Sequence, residues 1–544
     1  MDYPKSTLPE LLAQAAAAAP DATALIYFGS RISYRQLFEH VNRVATGLQA
    51  LGLQKGDRVA LFMPNCPQFV IAYFGVLRAG GIVTATSSMY TPREAAHQWH
   101  DAGVKIIIAE RRLAAVVRES LPHVPAAEHV VLTGIREYFP KHLRELNAFL
   151  ESPASLHSAV NGSVRTVGIH HQSPAHHDWP QLLANSPTPA PDGLTQADIA
   201  CLQYTGGTTG TSKGAMLTHG NLVINACQAS SWLQLDPHCG QVFVAALPLF
   251  HIFAMSCVMI SGVWCRGTVV ILPRFELRAA LNVIRKYHPT IFHGVPTMYV
   301  AFNNAPNVQR YGFHSLRMCM SGGAGLPVEV RQRFEALTGG KLVEGYGLTE
   351  TSPVTHINPP AGSPKTGSMG LPIAGTEARI MDLETGTHEV PVGEIGEIAI
   401  RGPQVMKGYW NKPQETAQVM RGGWFYTGDI ARKDADGYFY IVDRKKDMII
   451  AGGYNIYPRE VEEVLFEHPR IKEAGVVGVP DEYRGETVKA FVVLKEGMTA
   501  TAEEIIAFCR ERLAAYKVPR QVVFIEALPR SGVGKYLRRE LKKL

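Results

Sequence analysis

"YTGGTTGTSKGAM", residues 204–216, sets four glycines and five Ser or Thr hydroxyls around one lysine, Lys213. A short apolar run, "ACLQY" at 200–204, leads into it and reads as a strand. A strand ending at Tyr204 and a helix opening after Gly214 would aim backbone N–H groups and hydroxyls at an anion, with Lys213 adding a point charge. The spacing is not G-x4-G-K-[ST], because Thr211 and Ser212 precede the lysine and Gly214 follows it. Taken alone the loop also fits a flexible Gly/Thr surface segment, so its surroundings decide its meaning.

Upstream, strands alternate with helices. "TALIYF" (23–28) reads as a strand, and Ser33 opens a helix with the capping-box pattern S-Y-R-Q. Along that helix Leu37, Val41, Val44, Leu48 and Leu51 recur at helical spacing. The strands "RVALFM", "IVTATS" and "KIIIAE" then alternate with the helices "CPQFVIAYFGVLRAG" and "PREAAHQWHDAG". Such alternation builds parallel-type sheets with helices on both faces. Between 151 and 198 the chain is rich in Ser, Pro, Gly, Asn and His, and reads as surface loop. Its His170, His171, His176 and His177 are interrupted by Ser173 and Pro174, which disfavours a helical metal site. Past Gly375 short strands and turns take over, and the end of the chain has an α+β pattern. The expected fold is α/β: a large body of α/β subdomains plus a small β-rich part over 1–443, and a small mobile α+β cap over 444–544.

Composition narrows the function classes. A chain of 544 residues is too long for one core. Its net charge of +6 includes no dominant basic block, which argues against a nucleic-acid partner. Eight scattered cysteines without a C-x-x-C pair fit reduced thiols in the cytoplasm. The first twenty residues lack the long apolar run of a secretory signal. Residues 242–265, "VFVAALPLFHIFAMSCVMISGVWC", carry no acid, lysine or arginine, yet Pro248 and His251 interrupt them. A buried strand followed by a buried helix accounts for the run better than a membrane span.

Four further segments carry chemistry. "EGYGLTET" (344–351) places Tyr346 between Gly345 and Gly347, then Thr349 and Glu350, after Glu344. An aromatic face, a hydroxyl and a carboxylate so close together suit a base, a phosphate and a hard cation. "WFYTGDIA" supplies Asp429 on a tight turn. "GYFYIVDRKKDMIIAGGYNIYPREVE" (437–462) holds Asp443, Arg444, Lys446, Gly452, Gly453 and Tyr454. "LPRSGVGKYLRREL" (528–541) places Lys535 on a glycine-flanked loop. Each alone could be turn chemistry.

In this order, the segments resemble the adenylate-forming superfamily of acyl-CoA synthetases, adenylation domains and luciferases, over essentially the whole chain. "LQYTGGTTG", "MYTPRE", "PLFHIFA", "GPQVMKGYW", "IVDRKKDMI" and "YKVPR" are most similar to bacterial long-chain fatty acid–CoA ligases. The resemblance implies ATP, Mg²⁺ and coenzyme A as cofactor or substrates, with a medium- or long-chain fatty acid as the acid. It implies that Thr205, Gly206, Gly207, Thr208, Thr209, Gly210, Thr211 and Lys213 wrap the β and γ phosphates, Thr205 also lying near Mg²⁺. Glu344, Gly345, Tyr346 and Gly347 form the adenine segment, with Tyr346 stacking on the base. Thr349 touches the α-phosphate and Glu350 holds Mg²⁺. Asp429 and Arg444 bind the ribose hydroxyls, Lys446 is the hinge, and Lys535 reaches the carboxylate and the α-phosphate. Gly452, Gly453 and Tyr454 line the pantetheine path. His251, Gly322, Gly323 and Ala324 line the acyl pocket, although a lone His in an apolar run is commonly a core residue.

The chain departs from the pattern at Ser212 and Gly325, where proline is common, and the second departure weakens any inference of chain length. Alternatives stay open: a ligase for an aryl or other acid, an enzyme that stops at the adenylate, a non-catalytic lipid-binding relative, or a phosphotransferase that releases ADP. A homodimer and a transient contact with the inner-membrane surface also stay open.

Overall fold

The computed structural model describes residues 3–141, 143, 174–205, 212–237, 240–362, 364–445, 447–451, 454–481, 485–513, 515–530 and 537–544. The chain divides into two units. One comprises Met1–Pro364, Pro372–Thr376 and Gly402–Met420; the other comprises Lys365–Leu371, Glu377–Arg401 and Arg421–Leu544.

The first unit is built on two sheets. A seven-stranded sheet runs in the order Ala175–Asp178, His129–Thr133, Val104–Glu110, Arg58–Phe62, Ile82–Thr86, Ile199–Thr205, Lys213–Thr218. Neighbours are parallel except the last pair, which is antiparallel. Strands buried on both faces read as unbroken apolar runs, as "RVALF" does, with four of its five residues buried. One face packs Phe62, Trp99, Ile107, Val130 and Leu202 together. The helix Tyr34–Ala50 opens with the expected capping box: the Ser33 hydroxyl accepts from the Gln36 N–H, and Gln36 Oε1 accepts from the Ser33 N–H at 2.9 Å.

Part of the segment expected to be surface loop is ordered. Ala175–Asp178 pairs in parallel with His129–Thr133, and the short helix Trp179–Leu183 buries Trp179 and Leu182. Two large apolar side chains in one turn outweigh the polar composition around them. His176 and His177 lie on that edge strand, where His177 Nε2 stands 3.2 Å from His129 Nδ1. His170 and His171 lie outside the described residues. Among the described residues no three His, Cys, Asp or Glu converge as metal ligands.

The second sheet runs from Ser30–Ser33 through Thr23–Tyr27, Thr268–Ile271, Val242–Ala245, Ile291–Gly294, Met318–Ser321 and Lys341–Gly347 to Val354–Ile357. Its inner neighbours are parallel. The long apolar run is the buried strand Val242–Ala245 followed by a broken helix: an α turn at Ile252–Ala254, a π turn at Met255–Ile260 and an α turn at Ser261–Trp264. Every residue of the π turn is buried. Among the described residues no helix is long and apolar enough to cross a membrane.

In the second unit, Glu377–Met381, Ile395–Arg401, Trp424–Lys433 and Phe439–Arg444 form an antiparallel series. After it, Ile471–Asp481 and Gly485–Leu494 make a long antiparallel pair, which Gln521–Phe524 joins in parallel. Helices Pro458–Phe466 and Ala502–Arg510 pack Val461, Leu465, Ile505 and Cys509 into that sheet's core. The boundary expected between 443 and 444 falls inside this unit, where Phe439–Arg444 is still paired with Trp424–Lys433.

Candidate active site

Thr205 and Lys213 face each other across the antiparallel pair of Ile199–Thr205 and Lys213–Thr218, the two strands that flank the glycine loop in sequence. The helix expected near "THGNLVINACQ" is His219–Trp232, with Thr218 as its N-cap, and the strand Lys213–Thr218 fills the interval after the glycine loop. The cause lies far along the chain. Residues 407–410 bond to the strand's other edge: Met216 N donates to the Gly408 carbonyl at 2.9 Å, Lys407 N to Met216 at 2.9 Å, and Trp410 N to Gly214 at 2.8 Å. A helix there would leave these groups unpaired. Gly214 is glycine for a local reason, since an added Cβ would lie 3.1 Å from the Tyr204 ring. At the base of the loop the Ser212 hydroxyl donates to the Thr205 carbonyl at 2.6 Å. Gly206, Gly207, Thr208, Thr209, Gly210 and Thr211 lie outside the described residues.

Glu344, Gly345, Tyr346 and Gly347 end the strand Lys341–Gly347, and Thr349 and Glu350 form a single 3₁₀ turn beyond it. A Cβ on Gly347 would strike the Pro353 carbonyl, and one on Gly345 would sit 2.8 Å from Met320 Sδ. Both glycines therefore let the strand lie close against its neighbours. Tyr346 pairs across the strands with His356, their ring centres 5.8 Å apart. Burial pushes the His356 pKa down to about 3, so a neutral ring backs the tyrosine.

The structure joins the strand pair to this turn through a residue that the motif reading left without a role. Lys213 Nζ lies 5.1 Å from the centre of the Tyr409 ring, and the Tyr409 hydroxyl donates to Glu350 Oε1 at 2.8 Å. Met406 N donates to the Glu350 carbonyl at 2.8 Å, and Tyr409 N to Thr416 Oγ1 at 2.9 Å. Burial, together with the Glu350 charge, raises the Tyr409 pKa far above its usual value and keeps the phenol a donor. Tyr409 sits inside "GPQVMKGYW", so the sequence held the residue but no sign of its partners.

In the long apolar run, His251 Nδ1 accepts from Phe253 N at 3.3 Å and caps the first turn of the broken helix. The Phe253 ring stacks near His293, 6.3 Å between centres and 20° between planes. A Cβ on Gly322 would meet that ring at 3.1 Å. Gly322, Gly323 and Ala324 follow the strand Met318–Ser321, with Gly323 and Ala324 exposed and Gly323 at φ +82°. Gln203, on the strand that feeds the glycine loop, donates to the Phe250 carbonyl at 2.8 Å. The loop strand and the apolar run are thereby tied directly.

In the second unit, Asp429 and Arg444 are cross-strand partners, with Arg444 Nε 3.1 Å from Asp429 Oδ1. The adjacent Glu397 accepts from Gly428 N and from Lys445 Nζ, each at 3.0 Å. Lys446, Gly452, Gly453 and Lys535 lie outside the described residues. Tyr454 opens the strand Tyr454–Ile456.

Two family models match the chain: AMP-binding enzyme over residues 12–410 and AMP-binding enzyme C-terminal domain over residues 460–535. A long-chain-fatty-acid–CoA ligase of Bacillus subtilis (strain 168) is 46% identical over 545 residues, covering 99% of this chain and 95% of its own. A feruloyl-CoA synthase of Amycolatopsis is 36% identical over 530 residues, covering 96% of each chain. Among solved structures, ATP-bound MatB from Rhodopseudomonas palustris superposes with a TM-score of 0.85 at 31% identity, covering 99% of both chains.

Proposed function

The chain belongs to the AMP-binding enzyme family, and from that premise we propose that it activates a medium- or long-chain fatty acid with ATP and transfers it to coenzyme A. In the first half-reaction a carboxylate oxygen attacks the α-phosphorus of ATP, the bond to the bridging oxygen breaks, and pyrophosphate leaves. In the second, the thiol sulfur of coenzyme A attacks the acyl carbonyl carbon of the adenylate, the bond from that carbon to the phosphate oxygen breaks, AMP leaves with the oxygen, and the thiol proton passes to solvent. The substrate acid is already ionised near neutral pH, so the first step needs positioning and charge neutralisation and no general base.

The observation that carries this reading is the joining of the Lys213 strand to the Glu350 turn. It supports a site where a cation and a carboxylate serve one polyphosphate. Lys213 and the loop around it hold the phosphates to be discarded, Thr349 meets the α-phosphate, and Lys535 neutralises charge that develops there. Tyr346 stacks on adenine, and Asp429 with Arg444 receives the ribose hydroxyls. Gly452, Gly453 and Tyr454 line the pantetheine path.

Magnesium fits these residues. Mg²⁺ keeps waters and takes one or two protein carboxylates plus substrate phosphates, which one glutamate on a turn beside a phosphate loop satisfies. Glu350 and the Thr205 hydroxyl would hold it, and its positive charge would be shared among the phosphate oxygens. Seven described cysteines are unbridged and buried, which supports a reducing, cytoplasmic setting.

The test is to identify the nucleotide product with a panel of acids, with and without coenzyme A. AMP and pyrophosphate formed on fatty acids, with turnover completed only by coenzyme A, fit the proposal. ADP would replace it with a phosphotransferase. The feruloyl-CoA synthase relative gives an aryl acid a specific claim as second reading, and the same panel includes that class.

A further inference from the structure

Tyr409 stands between two groups that bear opposite charges and that the proposed chemistry uses together. Its hydroxyl donates to Glu350 Oε1 at 2.8 Å, and its ring face lies 5.1 Å from Lys213 Nζ. Its backbone is held as firmly. Tyr409 forms an antiparallel bridge with Ala215, its N–H donates to Thr416 Oγ1, and the flanking residues 407, 408 and 410 bond to Gly214 and Met216. The preceding Gly408 has φ +140°, and a Cβ there would lie 2.8 Å from Thr416 Cγ2, so the approach to Tyr409 requires glycine. The side chain is buried, with 7% of its surface exposed. These backbone bonds and the burial place the Tyr409 side chain between Glu350 and Lys213.

We propose that Tyr409 is a positioning residue for adenylation: its hydroxyl fixes the rotation of the Glu350 carboxylate, and its ring seats the Lys213 ammonium. The proposal rests on the reading of Glu350 as the carboxylate that meets Mg²⁺. Without the hydroxyl, Glu350 keeps its charge and its backbone bond from Met406 but loses the bond that Tyr409 gives to Oε1. Partners of metal-binding carboxylates act in this way, and their loss typically costs about 10- to 100-fold in metal affinity or activity. The ring contributes separately through its negative face, which attracts an ammonium.

The two parts separate by substitution. Tyr409→Phe removes the hydroxyl and keeps the ring; Tyr409→Leu removes both. Mn²⁺ serves as the probe for Mg²⁺. Free Mn²⁺ is counted by electron paramagnetic resonance as it is titrated into the full-length protein with an ATP analogue whose α,β bridge is methylene. Binding of the same analogue is also measured without metal. Tyr409→Phe should weaken Mn²⁺ binding about 10-fold or more while leaving metal-free analogue binding unchanged. Tyr409→Leu should weaken Mn²⁺ binding similarly and also weaken metal-free analogue binding about two- to fivefold, as Lys213 loses its seat. Unchanged Mn²⁺ affinity in Tyr409→Phe would overturn the proposal. So would an equal fall of both affinities in Tyr409→Phe, because that reports general damage to the site. None of these readouts needs turnover, so a protein that forms no AMP from any acid would sink the proposed reaction without touching this result.

Discussion

Arg538 grips Glu462 with two nitrogens, Nη2 at 2.7 Å from Oε2 and Nε at 3.3 Å from Oε1. Its third nitrogen, Nη1, lies 3.0 Å from Asp443 and 3.4 Å from Asp447. These are buried charges: the Asp443 side chain is 1% exposed and that of Glu462 7%. The remaining acceptor positions are also used. Asp443 takes the N–H of Arg444 and Arg459, and Glu462 takes that of Val476. The helix Arg538–Leu541 is far too short to persist alone, so this grip and the buried Leu541 hold the segment that directly follows Lys535. Asp443 and Asp447 in turn flank Lys446, the proposed hinge. One guanidinium therefore ties the chain just past the proposed catalytic lysine to both sides of the proposed pivot.

Replacing Arg538 with Met should be costly and pH-dependent. Breaking a buried pair by removing one partner typically costs about 3–5 kcal/mol, because a charge is left buried and unpaired. Burial already pushes the pKa values of Asp443 and Glu462 up, with Arg538 opposing it. An acid whose pKa is raised on folding favours the folded state below its unfolded pKa and loses that contribution as pH rises through the folded value. Without Arg538 the folded values rise further. The stability gap between parent and Arg538→Met should therefore be widest at pH 7 and narrow on acidification toward pH 5. Urea unfolding at both pH values measures it, and a gap that stays constant would contradict the assignment.

Lys535→Ala should separate the two half-reactions. On the proposed assignment Lys535 would serve adenylate formation, by meeting the carboxylate and the α-phosphate, whereas the segment 452–454 would serve thioester formation. Loss of a contact made mainly in the transition state should lower the adenylation rate at least ~100-fold. Thioester formation from supplied acyl-adenylate should persist. Pyrophosphate release and single-turnover acyl transfer read the two steps, and equal loss of both would remove the division of labour.

The sequence was most legible where burial is local. Parallel strands appear as unbroken apolar runs, and the capping box at Ser33 can be read from four consecutive residues. The strand Lys213–Thr218 was not legible, because its edge partners at 407–410 lie far along the chain and leave no local periodicity. Trp179 was hidden by polar neighbours whose composition says nothing of one buried ring. Tyr409 stood in a motif already marked, but a hydroxyl aimed at Glu350 is a fact of tertiary geometry. Asp443 is bound by Arg459 and Arg538, partners 16 and 95 residues along the chain that no local pattern announces.

Three buried histidines should make the first unit acid-sensitive. Burial lowers the pKa of His219 to about 4 and those of His293 and His356 to about 3, from an ordinary value of 6.5. Each ring stays neutral in the folded state, so its contribution is fully present above pH 6.5 and lost as pH falls toward the folded value. Each adds a slope of about 1.4 kcal/mol per pH unit within that window. His293 packs between Phe243 and Phe253, an apolar setting that accepts phenylalanine. His293→Phe should therefore flatten the decline in stability between pH 6.5 and 4.5 by about that slope. Denaturation curves at three pH values test it; parallel declines in parent and variant would mean that His293 does not titrate on unfolding.

The substrate class is tested by chain length. Phe253, Met255 and Met259 belong to the broken helix after His251, and the π turn at Met255–Ile260 widens it at this point. If that wall encloses an acyl tunnel, each added CH₂ is moved from water into apolar surroundings until the tunnel ends. The gain in kcat/KM should reach up to ~0.8 kcal/mol per methylene, about fourfold, and then level off between medium and long chains. Gly322 supplies an internal control. A Cβ there would press on the Phe253 ring at 3.1 Å, so Gly322→Ala should lower kcat/KM for long acids more than for short ones. Pyrophosphate release measured across a saturated fatty-acid series gives both profiles. A flat series with benzoate or coumarate preferred would exchange the fatty acid for an aryl acid, as in the feruloyl-CoA synthase relative. The proposed adenylation chemistry would stand in either case, because it is assigned to Lys213, Glu350 and Lys535 and not to this wall.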